Sequence, residues 1–332
     1  MSKKYYKTLQ EKLGSKLIDY RNNWEKAGNG EFLPKFPLHL NFELNFGCNL
    51  RCNFCPYSLP LEEWSYNVEP SKKISFKQYS RIIDEGDKHG LCSVSLNGNN
   101  EPLLNKKIIK FIKYAKNSSI LEISFHTNGF LLTEDLSKDI IESGLTSIMF
   151  SIDSFSEETY KMVRNSDGYK KVLENINNFL RIKKDMNKEF PFVRVSFVKN
   201  KINYKEVDNF IGYWEKKSDG IEMQAFGNLF IGHNKYYEIN NLFHLENNYL
   251  EKCYEPWRRL SIQNSGKVFP CCSTYGNEVI IGDICDNSIY EIWNGEKMKE
   301  LRKSINSEKE DTGCVRCKAS GLSYSDNENI KK

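Results

Sequence analysis

The sequence predicts an α/β fold, in which a partial (β/α)6 barrel of parallel strands precedes a small domain made of a β-hairpin and a helix. Short apolar runs alternate with longer segments whose apolar residues recur at helical spacing. Such alternation is typical of parallel βαβ units. Polar residues follow the predicted strands, and most cysteines fall into two groups, at 48–55 and 253–317. The second group predicts the small domain.

Composition fits a large folded chain in a reducing compartment. Of the 332 residues, 39% are hydrophobic and 13% aromatic, which is enough to bury a sizeable core. The net charge is +4, and lysine and glutamate are spread along the chain, so we expect no nucleic-acid surface. No apolar stretch approaches the length of a membrane span. Ten cysteines without a signal-peptide pattern predict a cytoplasmic protein.

The predicted elements divide the chain into five parts. Residues 4–26 have helical spacing and predict a helix that packs against the barrel. The predicted strands are 38–44, 92–96, 121–125, 146–152, 192–198 and 220–226, and the helices between them are 76–89, 106–117, 132–143, 169–184 and 204–216. The predicted parts are 1–37 (helix and link), 38–226 (barrel), 227–252 (linker), 253–320 (small domain) and 321–332 (tail).

Three cysteines follow the first predicted strand: Cys48, Cys52 and Cys55. Chemistry in (β/α) barrels lies at the carboxyl ends of strands. Three thiolates can hold three irons of a [4Fe–4S] cluster and leave the fourth iron open to a small molecule. A zinc loop is the alternative, but zinc sites usually have paired Cys-x2-Cys units or histidines, and this loop has no histidine.

The spacing Cys-x3-Cys-x2-Cys, with Phe54 before the last cysteine, resembles the signature of the radical S-adenosylmethionine (SAM) enzymes. The resemblance implies that the open iron binds the amino and carboxylate groups of SAM. It also implies that one electron cleaves SAM to methionine and a 5′-deoxyadenosyl radical. In that arrangement Phe54 covers the cluster and packs near the adenine.

The segment after the second strand, Asn97 to Pro102, resembles the family's Gly-Gly-Glu-Pro segment. Here Glu101 and Pro102 match, whereas Asn99 and Asn100 replace the glycines and Gly98 lies one position earlier. Asparagine tolerates positive φ, so the departure weakens the match without breaking it. The resemblance implies that Gly98 and Glu101 belong to the SAM site, where backbone groups bind the amino group.

Three further segments continue the resemblance. Asn128, after the third strand, would face SAM, although Asn128-Gly129 also suits a plain turn. Ser151 and Asp153, after the fourth strand, would approach the ribose or carboxylate, although this position also suits the start of a helix. Arg164 would pair with the SAM carboxylate, since arginine binds carboxylates through two donors.

The second cysteine group resembles an auxiliary-cluster domain. The spacing from Cys253 through the Gly266 turn to Cys271 is similar to the opening of the SPASM domain or its shortened "twitch" form. The resemblance implies that Cys253, Cys271, Cys314 and Cys317 hold one auxiliary [4Fe–4S] cluster. A structural zinc with four cysteine ligands is the alternative, which spacing alone does not exclude.

Cys272 has three possible roles. It could replace Cys271 as a ligand, although Gly-x4-Cys favours Cys271. Like Cys92 and Cys285, it could be a small buried hydrophobe. It is also the candidate hydrogen-atom donor that an epimerase would need, because it adjoins the predicted cluster.

The resemblance implies that the radical removes one hydrogen from a substrate. One auxiliary cluster, without the peptide-recognition module of many peptide-modifying relatives, resembles a cyclitol dehydrogenase of aminoglycoside synthesis. We therefore expect two-electron oxidation of an alcohol to a ketone in a sugar or cyclitol, with the auxiliary cluster accepting an electron. The base stays open among Arg194, Arg258 and Tyr254.

Two alternatives differ in class. A peptide-modifying enzyme would make an epimerised residue or a crosslink and predicts a groove at 227–250. A non-catalytic iron–sulfur or zinc-binding module would not cleave SAM. The expected partners are a small-molecule or peptide substrate and a reducing protein such as flavodoxin or ferredoxin, with neither nucleic acid nor membrane.

Overall fold

The computed structural model describes residues 3–64, 68–225, 252–273, 275–307, 313–314 and 317. Its strands are β1 His39–Phe42, β2 Ser93–Ser95, β3 Glu122–Thr127, β4 Ser147–Ser151, β5 Phe192–Lys199, β6 Gly220–Ala225, β7 Arg259–Ile262, β8 Lys267–Phe269 and β9 Gly282–Asp283. Its helices are α1 Lys3–Leu13, α2 Ser15–Gly28, α3 Phe76–His89, α4 Ile108–Lys116, α5 Glu134–Glu142, α6 Glu157–Arg164, α7 Tyr169–Asp185, α8 Val207–Trp214, α9 Ile289–Asn294 and α10 Glu296–Ser304.

One sheet contains all nine strands, in the order β6-β5-β4-β3-β2-β1-β7-β8-β9. Strands β1 to β6 pair in parallel with their neighbours in chain order. In the part of the chain that the structure describes, β1 and β6 do not pair, so the barrel is open. The predicted α/β fold with a partial barrel is confirmed.

The hairpin of the second domain extends the barrel sheet. Strand β7 pairs in parallel with β1, from His39 opposite Arg259 to Phe42 opposite Ile262. Strand β8 returns antiparallel to β7 after a turn in which Gly266 has a φ of 96°. This left-handed conformation favours glycine. The second domain is therefore hydrogen-bonded to the strand that leads into the first cysteine group.

The barrel strands have an apolar face and a polar face. Side chains such as Val94, Ile123 and Ile148 are fully buried in the main hydrophobic core. The residues on both sides of Val94 and Ile123, and Ser147 before Ile148, are polar and line the interior, because successive side chains point to opposite faces of a sheet. The apolar face stabilises the fold and leaves the polar face for a ligand.

The amino-terminal segment forms two helices where one was predicted over 4–26. Gly14 separates α1 from α2 with a φ of 57°, a left-handed conformation that interrupts a helix. Helix α2 covers the amino ends of two strands: Tyr20 hydrogen-bonds Ser93 at 2.8 Å, and Arg21 pairs with Glu122 at 2.5 Å. It covers the barrel opening opposite the cysteine loop.

The remaining differences concern element ends. The predicted helix at 204–216 is a short 3-10 turn, Tyr204–Glu206, followed by α8. The rim at 227–250, where a peptide groove was predicted, lies outside the described residues. Among the helices that the structure describes, we find none with the length and apolar composition needed to cross a membrane.

Candidate active site at the carboxyl ends of the strands

The loop that carries Cys48, Cys52 and Cys55 follows β1 and is held by two other parts of the barrel. The Gly47 carbonyl accepts a hydrogen bond from the Glu101 N–H at 2.9 Å. Asn53 ties the loop to α6, because its N–H donates to the Val163 carbonyl at 3.1 Å. These bonds fix the cysteines against the ends of β2 and α6.

The three thiols lie close together and receive polar donors. Burial raises the pKa of the Cys55 thiol to about 12, and the neighbouring Cys52 and Cys48 add to the shift. Arg164 Nη1 lies 3.4 Å from Cys52 Sγ, and Asn128 Nδ2 lies 3.8 Å from Cys48 Sγ. Buried thiols become thiolates beside a metal centre, and donors aimed at sulfur suit a thiolate-held cluster.

Glu101 joins the end of β2 to the end of β3. Its Oε1 accepts from the Leu103 N–H at 3.0 Å and the Thr127 hydroxyl at 2.6 Å. Its Oε2 accepts from the Asn128 N–H at 2.9 Å. Three donors occupy this buried carboxylate, so its side chain orders the strand ends.

Asp153 and Arg164 form a buried ion pair beside the cysteine loop. Asp153 Oδ2 lies 2.6 Å from Arg164 Nη2, and Asp153 Oδ1 accepts from the Val198 N–H at 2.8 Å. The Arg164 guanidinium also lies 5.7 Å from the Phe54 ring centre. Ser151 is half-buried, and its hydroxyl lies 3.5 Å from that of Ser196. The observed carboxylate partner of Arg164 is thus Asp153, and the predicted SAM carboxylate would be a second.

The end of β2 packs closely on residue 43. A Cβ atom added at Gly98 would lie 2.8 Å from Glu43 Cβ and 3.1 Å from Glu43 Cδ. A side chain at position 98 would displace Glu43. The Gly98 N–H donates to Asn100 Oδ1 at 2.9 Å, which closes a tight turn.

The second cysteine group also converges. Burial raises the pKa of the Cys271 thiol, and Cys272, Cys314, Cys253 and Cys317 add to the shift. Cys272 differs from the others because Arg259 Nη1 lies 3.7 Å from its sulfur and because it lines the barrel cavity. Cys92 belongs to neither cysteine group, and its thiol donates to the Gly90 carbonyl at 3.3 Å.

A cavity of about 860 Å³ occupies the polar side of the sheet and reaches Gly98, Asn99 and Cys272. Every barrel strand contributes to it; the strand residues are His39, Asn41, Ser93, Ser95, Glu122, Ser124, His126, Ser147, Arg194, Glu222 and Gln224. Its volume is in the range of small-molecule sites. Arg194 and Arg258, two of the three residues named from the sequence as candidates for the base, line this cavity.

Charges in the described lining of the cavity are balanced. Each of its four arginines pairs with a glutamate: Arg21 with Glu122, Arg194 with Glu222 at 2.9 Å, and both Arg258 and Arg259 with Glu255. Both histidines are neutral at pH 7, since burial lowers the pKa of His39 to about 3 and of His126 to about 4, with nearby arginines adding to both shifts.

The cysteine groups suit metal clusters by their donor sets. In the residues that the structure describes, no three Cys, His, Asp or Glu side chains are arranged to hold a single ion. Each cysteine of a [4Fe–4S] cluster binds a different iron, so its thiols surround the cluster without meeting at one atom. Cys48, Cys52 and Cys55 fit such a cluster, because Arg164 and Asn128 place N–H donors near the sulfur atoms of Cys52 and Cys48.

Two family models match the sequence. Residues 42–210 match the model described as "Radical SAM superfamily", which covers half of the chain and includes the cysteine loop and the barrel strands β2 to β5. The chain belongs to the radical SAM superfamily. Residues 253–318 match the SPASM model, described as "Iron-sulfur cluster-binding domain". A radical SAM enzyme binds SAM at a [4Fe–4S] cluster, and the SPASM segment adds an auxiliary iron–sulfur cluster.

Curated relatives match part of this radical SAM chain. A GTP 3′,8-cyclase of Thermodesulfovibrio yellowstonii is 32% identical over 173 residues, which cover 51% of this chain and 50% of the relative. A GTP 3′,8-cyclase of Desulforamulus reducens is 30% identical over 145 residues, or 43% of each chain. The matches thus span about half of these relatives or less.

Solved structures share the fold at low sequence identity. BtrN in complex with AdoMet and 2-DOIA has a TM-score of 0.54 at 16% identity and covers 87% of this chain and 93% of its own. Streptococcus suis SuiB bound to precursor peptide SuiA has a TM-score of 0.61 at 15% identity and covers 92% of this chain and 73% of its own. anSMEcpe with bound AdoMet and Cp18Cys peptide has a TM-score of 0.57 at 17% identity, with coverages of 85% and 87%.

Sequence reasoning missed two features of the site. Glu43 ends the apolar run of β1, and a charged residue at the end of a buried strand was the available signal. Arg259 contacts Cys272, but its place beside β1 depends on the pairing of β7 with β1, which joins distant parts of the chain.

Proposed function

We propose that this radical SAM enzyme oxidises an alcohol to a ketone in a neutral, polyhydroxylated small molecule, a sugar or cyclitol. The observation that supports this proposal is the cavity of about 860 Å³, which is lined by hydroxyl, amide and imidazole groups from five of the six barrel strands and by Arg194 from β5. Such groups hydrogen-bond hydroxyls. The cavity reaches the end of β2 and Cys272, so a bound substrate would lie between the SAM site and the auxiliary-cluster domain.

Charge balance favours a neutral substrate over a nucleotide. The named relatives act on GTP, whose triphosphate requires cations that are free to bind it. In the described lining each arginine already pairs with a glutamate. A phosphate group would compete with these carboxylates, whereas a polyol would leave the ion pairs intact.

The residue roles are part of the proposal. Cys48, Cys52 and Cys55 would hold the SAM-binding cluster, and Cys253, Cys271, Cys314 and Cys317 the auxiliary cluster. When bound and reduced by a flavodoxin or ferredoxin, the first cluster with SAM supplies the radical that removes hydrogen from carbon. Phe54, Gly98, Asn128, Ser151 and Arg164 would shape the SAM site, while Glu101 and Asp153 hold the strand ends and Arg164 in place.

The test is anaerobic turnover of the reconstituted enzyme with a panel of carbon-deuterated cyclitols and hexoses, and with deuterated GTP as a comparison. We expect deuterium in 5′-deoxyadenosine and one equivalent of ketone from a polyol. Transfer from GTP, or transfer from no polyol, would overturn the proposal.

A peptide substrate is the second candidate, because SuiB and anSMEcpe bind peptides and share the fold. It would make Cys272 a possible hydrogen-atom donor, since that thiol lines the cavity. Solvent deuterium incorporated into a peptide product, and lost in Cys272→Ser, would favour this candidate over alcohol oxidation.

A further inference from the structure

Glu43 is a buried acid at the carboxyl end of β1. Its N–H donates to the Ile262 carbonyl at 2.9 Å and so continues the pairing with β7. The residue is 8% exposed. The carboxyl lies against Gly98, where a Cβ atom would approach Glu43 Cδ to 3.1 Å. It is therefore fixed between the predicted SAM site and the auxiliary-cluster domain.

The Glu43 carboxyl has no polar partner among the residues that the structure describes. Other buried acids near the site are occupied: Glu101 by three donors, Asp153 by Arg164 and Glu255 by two arginines. Burial alone raises the pKa of Glu43 to about 8. Buried polar groups are normally satisfied, so an unpaired acid here points to a ligand or a catalytic role.

Glu43 lines a small cavity of about 20 Å³ next to the main one. The two cavities share five lining residues, which are Asn41, Asn97, Gly98, Asn99 and Cys272. A space of this size holds about one water molecule or a hydroxyl group. Within the described lining of the small cavity, Cys272 is the one other titratable group.

We propose that Glu43 is the catalytic base that accepts the hydroxyl proton when the substrate alcohol becomes a ketone. This inference rests on the proposed function. Oxidation of a CH–OH group to C=O releases a hydrogen atom from carbon, a proton from oxygen and one electron. The proposed function assigns the hydrogen atom to the SAM-derived radical and the electron to the auxiliary cluster. The proton goes to Glu43, and from there to solvent between turnovers.

The other candidates for the base are less suitable. Arg194 and Arg258 pair with glutamates, and a guanidinium is already protonated. His39 has both ring nitrogens hydrogen-bonded, to Ser93 at 2.6 Å and to Asn41 at 2.5 Å. His126 holds a proton weakly, because burial and then Arg194 lower its pKa to about 4. A pKa near the working pH suits a general base.

The experiment compares Glu43→Gln and Glu43→Asp with Glu174→Gln, the same change on the exposed face of α7. The probe is the deuterated polyol that labels 5′-deoxyadenosine in the wild type. For Glu43→Gln we expect retained deuterium transfer and a ketone yield per 5′-deoxyadenosine lower by about 10²–10⁴-fold. For Glu43→Asp we expect partial rescue and a shifted pH profile; in the wild type the ketone yield should rise with pH through the pKa of Glu43.

A second measurement does not depend on turnover. A potentiometric comparison of the iron–sulfur-reconstituted wild type with reconstituted Glu43→Gln, both without SAM, should show one more proton released near pH 8 by the wild type. Normal ketone yield in Glu43→Gln, or no missing proton, overturns the role of Glu43 and leaves the proposed function standing. If no polyol labels 5′-deoxyadenosine in the wild type, the proposed function fails and the role of Glu43 as an alcohol base fails with it.

Discussion

Arg164 Nη1 lies 3.4 Å from the sulfur of Cys52, while the same guanidinium pairs with the buried carboxylate of Asp153. A cationic donor on a cluster sulfur stabilises the added electron of the reduced state. The ion pair orients this donor, and it also holds α6 against the cysteine loop.

Replacing Arg164 by glutamine should lower the reduction potential of the SAM-binding cluster. The loss of one charged donor to Cys52 is worth about 1.5–3 kcal/mol, and about 60 mV corresponds to tenfold for one electron. We therefore expect a decrease of about 60–130 mV in a redox titration followed by EPR. Arg181→Gln on the exposed face of α7 is the control. An unchanged potential would show that the Arg164 contact does not tune the cluster.

Cys271→Ala and Cys272→Ala should differ in iron content. The pKa of the Cys271 thiol is raised by burial and by the neighbouring thiols, which include Cys253, Cys314 and Cys317. Cys272, in contrast, lines the cavity beside Arg259. We expect Cys271→Ala to lose about half of its iron and Cys272→Ala to keep the wild-type amount, because each lost [4Fe–4S] cluster removes four irons. Iron and sulfide analysis after reconstitution checks this. The reverse pattern would make Cys272 the ligand.

Glu101→Gln should destabilise the fold. The glutamine amide replaces one acceptor oxygen with a donor, which then meets a donor from Leu103, Thr127 or Asn128. Leaving a buried donor unsatisfied costs about 1–3 kcal/mol. Urea unfolding measures the loss. Thr127→Val removes one donor and keeps the carboxylate, so its effect should be smaller, and equal stability of Glu101→Gln and wild type would contradict the network.

The contribution of Glu43 to stability should fall as pH rises between about 4.5 and 8, and Glu43→Gln should remove this contribution while leaving the opposite contributions of His39 and His126 in place. The pKa of Glu43 is raised from 4.5 to about 8 by burial. Below pH 4.5 both folded and unfolded states hold the proton. Between the two values the unfolded state releases it first, which favours unfolding by up to a few kcal/mol. Urea midpoints of Glu43→Gln and Glu174→Gln across this range test the sign.

Local patterns predicted the elements well. The short apolar runs located all six barrel strands, because a buried strand requires apolar residues at nearby positions in the sequence. Helix α3 begins at Phe76 after a Ser75–Gln78 capping box and ends before Gly90 in the left-handed conformation. The break at Gly14 was missed, since a single glycine is tolerated within a helical pattern.

Contacts between distant residues could not be read from the sequence. The pairing of β7 with β1 joins positions more than two hundred residues apart, and no local pattern specifies such a neighbour. No local pattern specifies the partners of Arg164 or the lack of a polar partner for the Glu43 carboxyl among the described residues either. Residue types indicated the chemistry at the cysteines, but burial and pairing, which set the pKa of Glu43, exist only in the folded chain.

The pairing of β1 with β7 fixes the spacing between the two cysteine groups. One strand of this pair leads into Cys48, and the other leads through the hairpin to Cys271. A register shift of one residue would move the two cysteine groups by about 3.3 Å and would also turn each side chain to the opposite face. The spacing between the two cysteine groups is thus set by backbone hydrogen bonds, and the residues of the cavity walls can change without changing it.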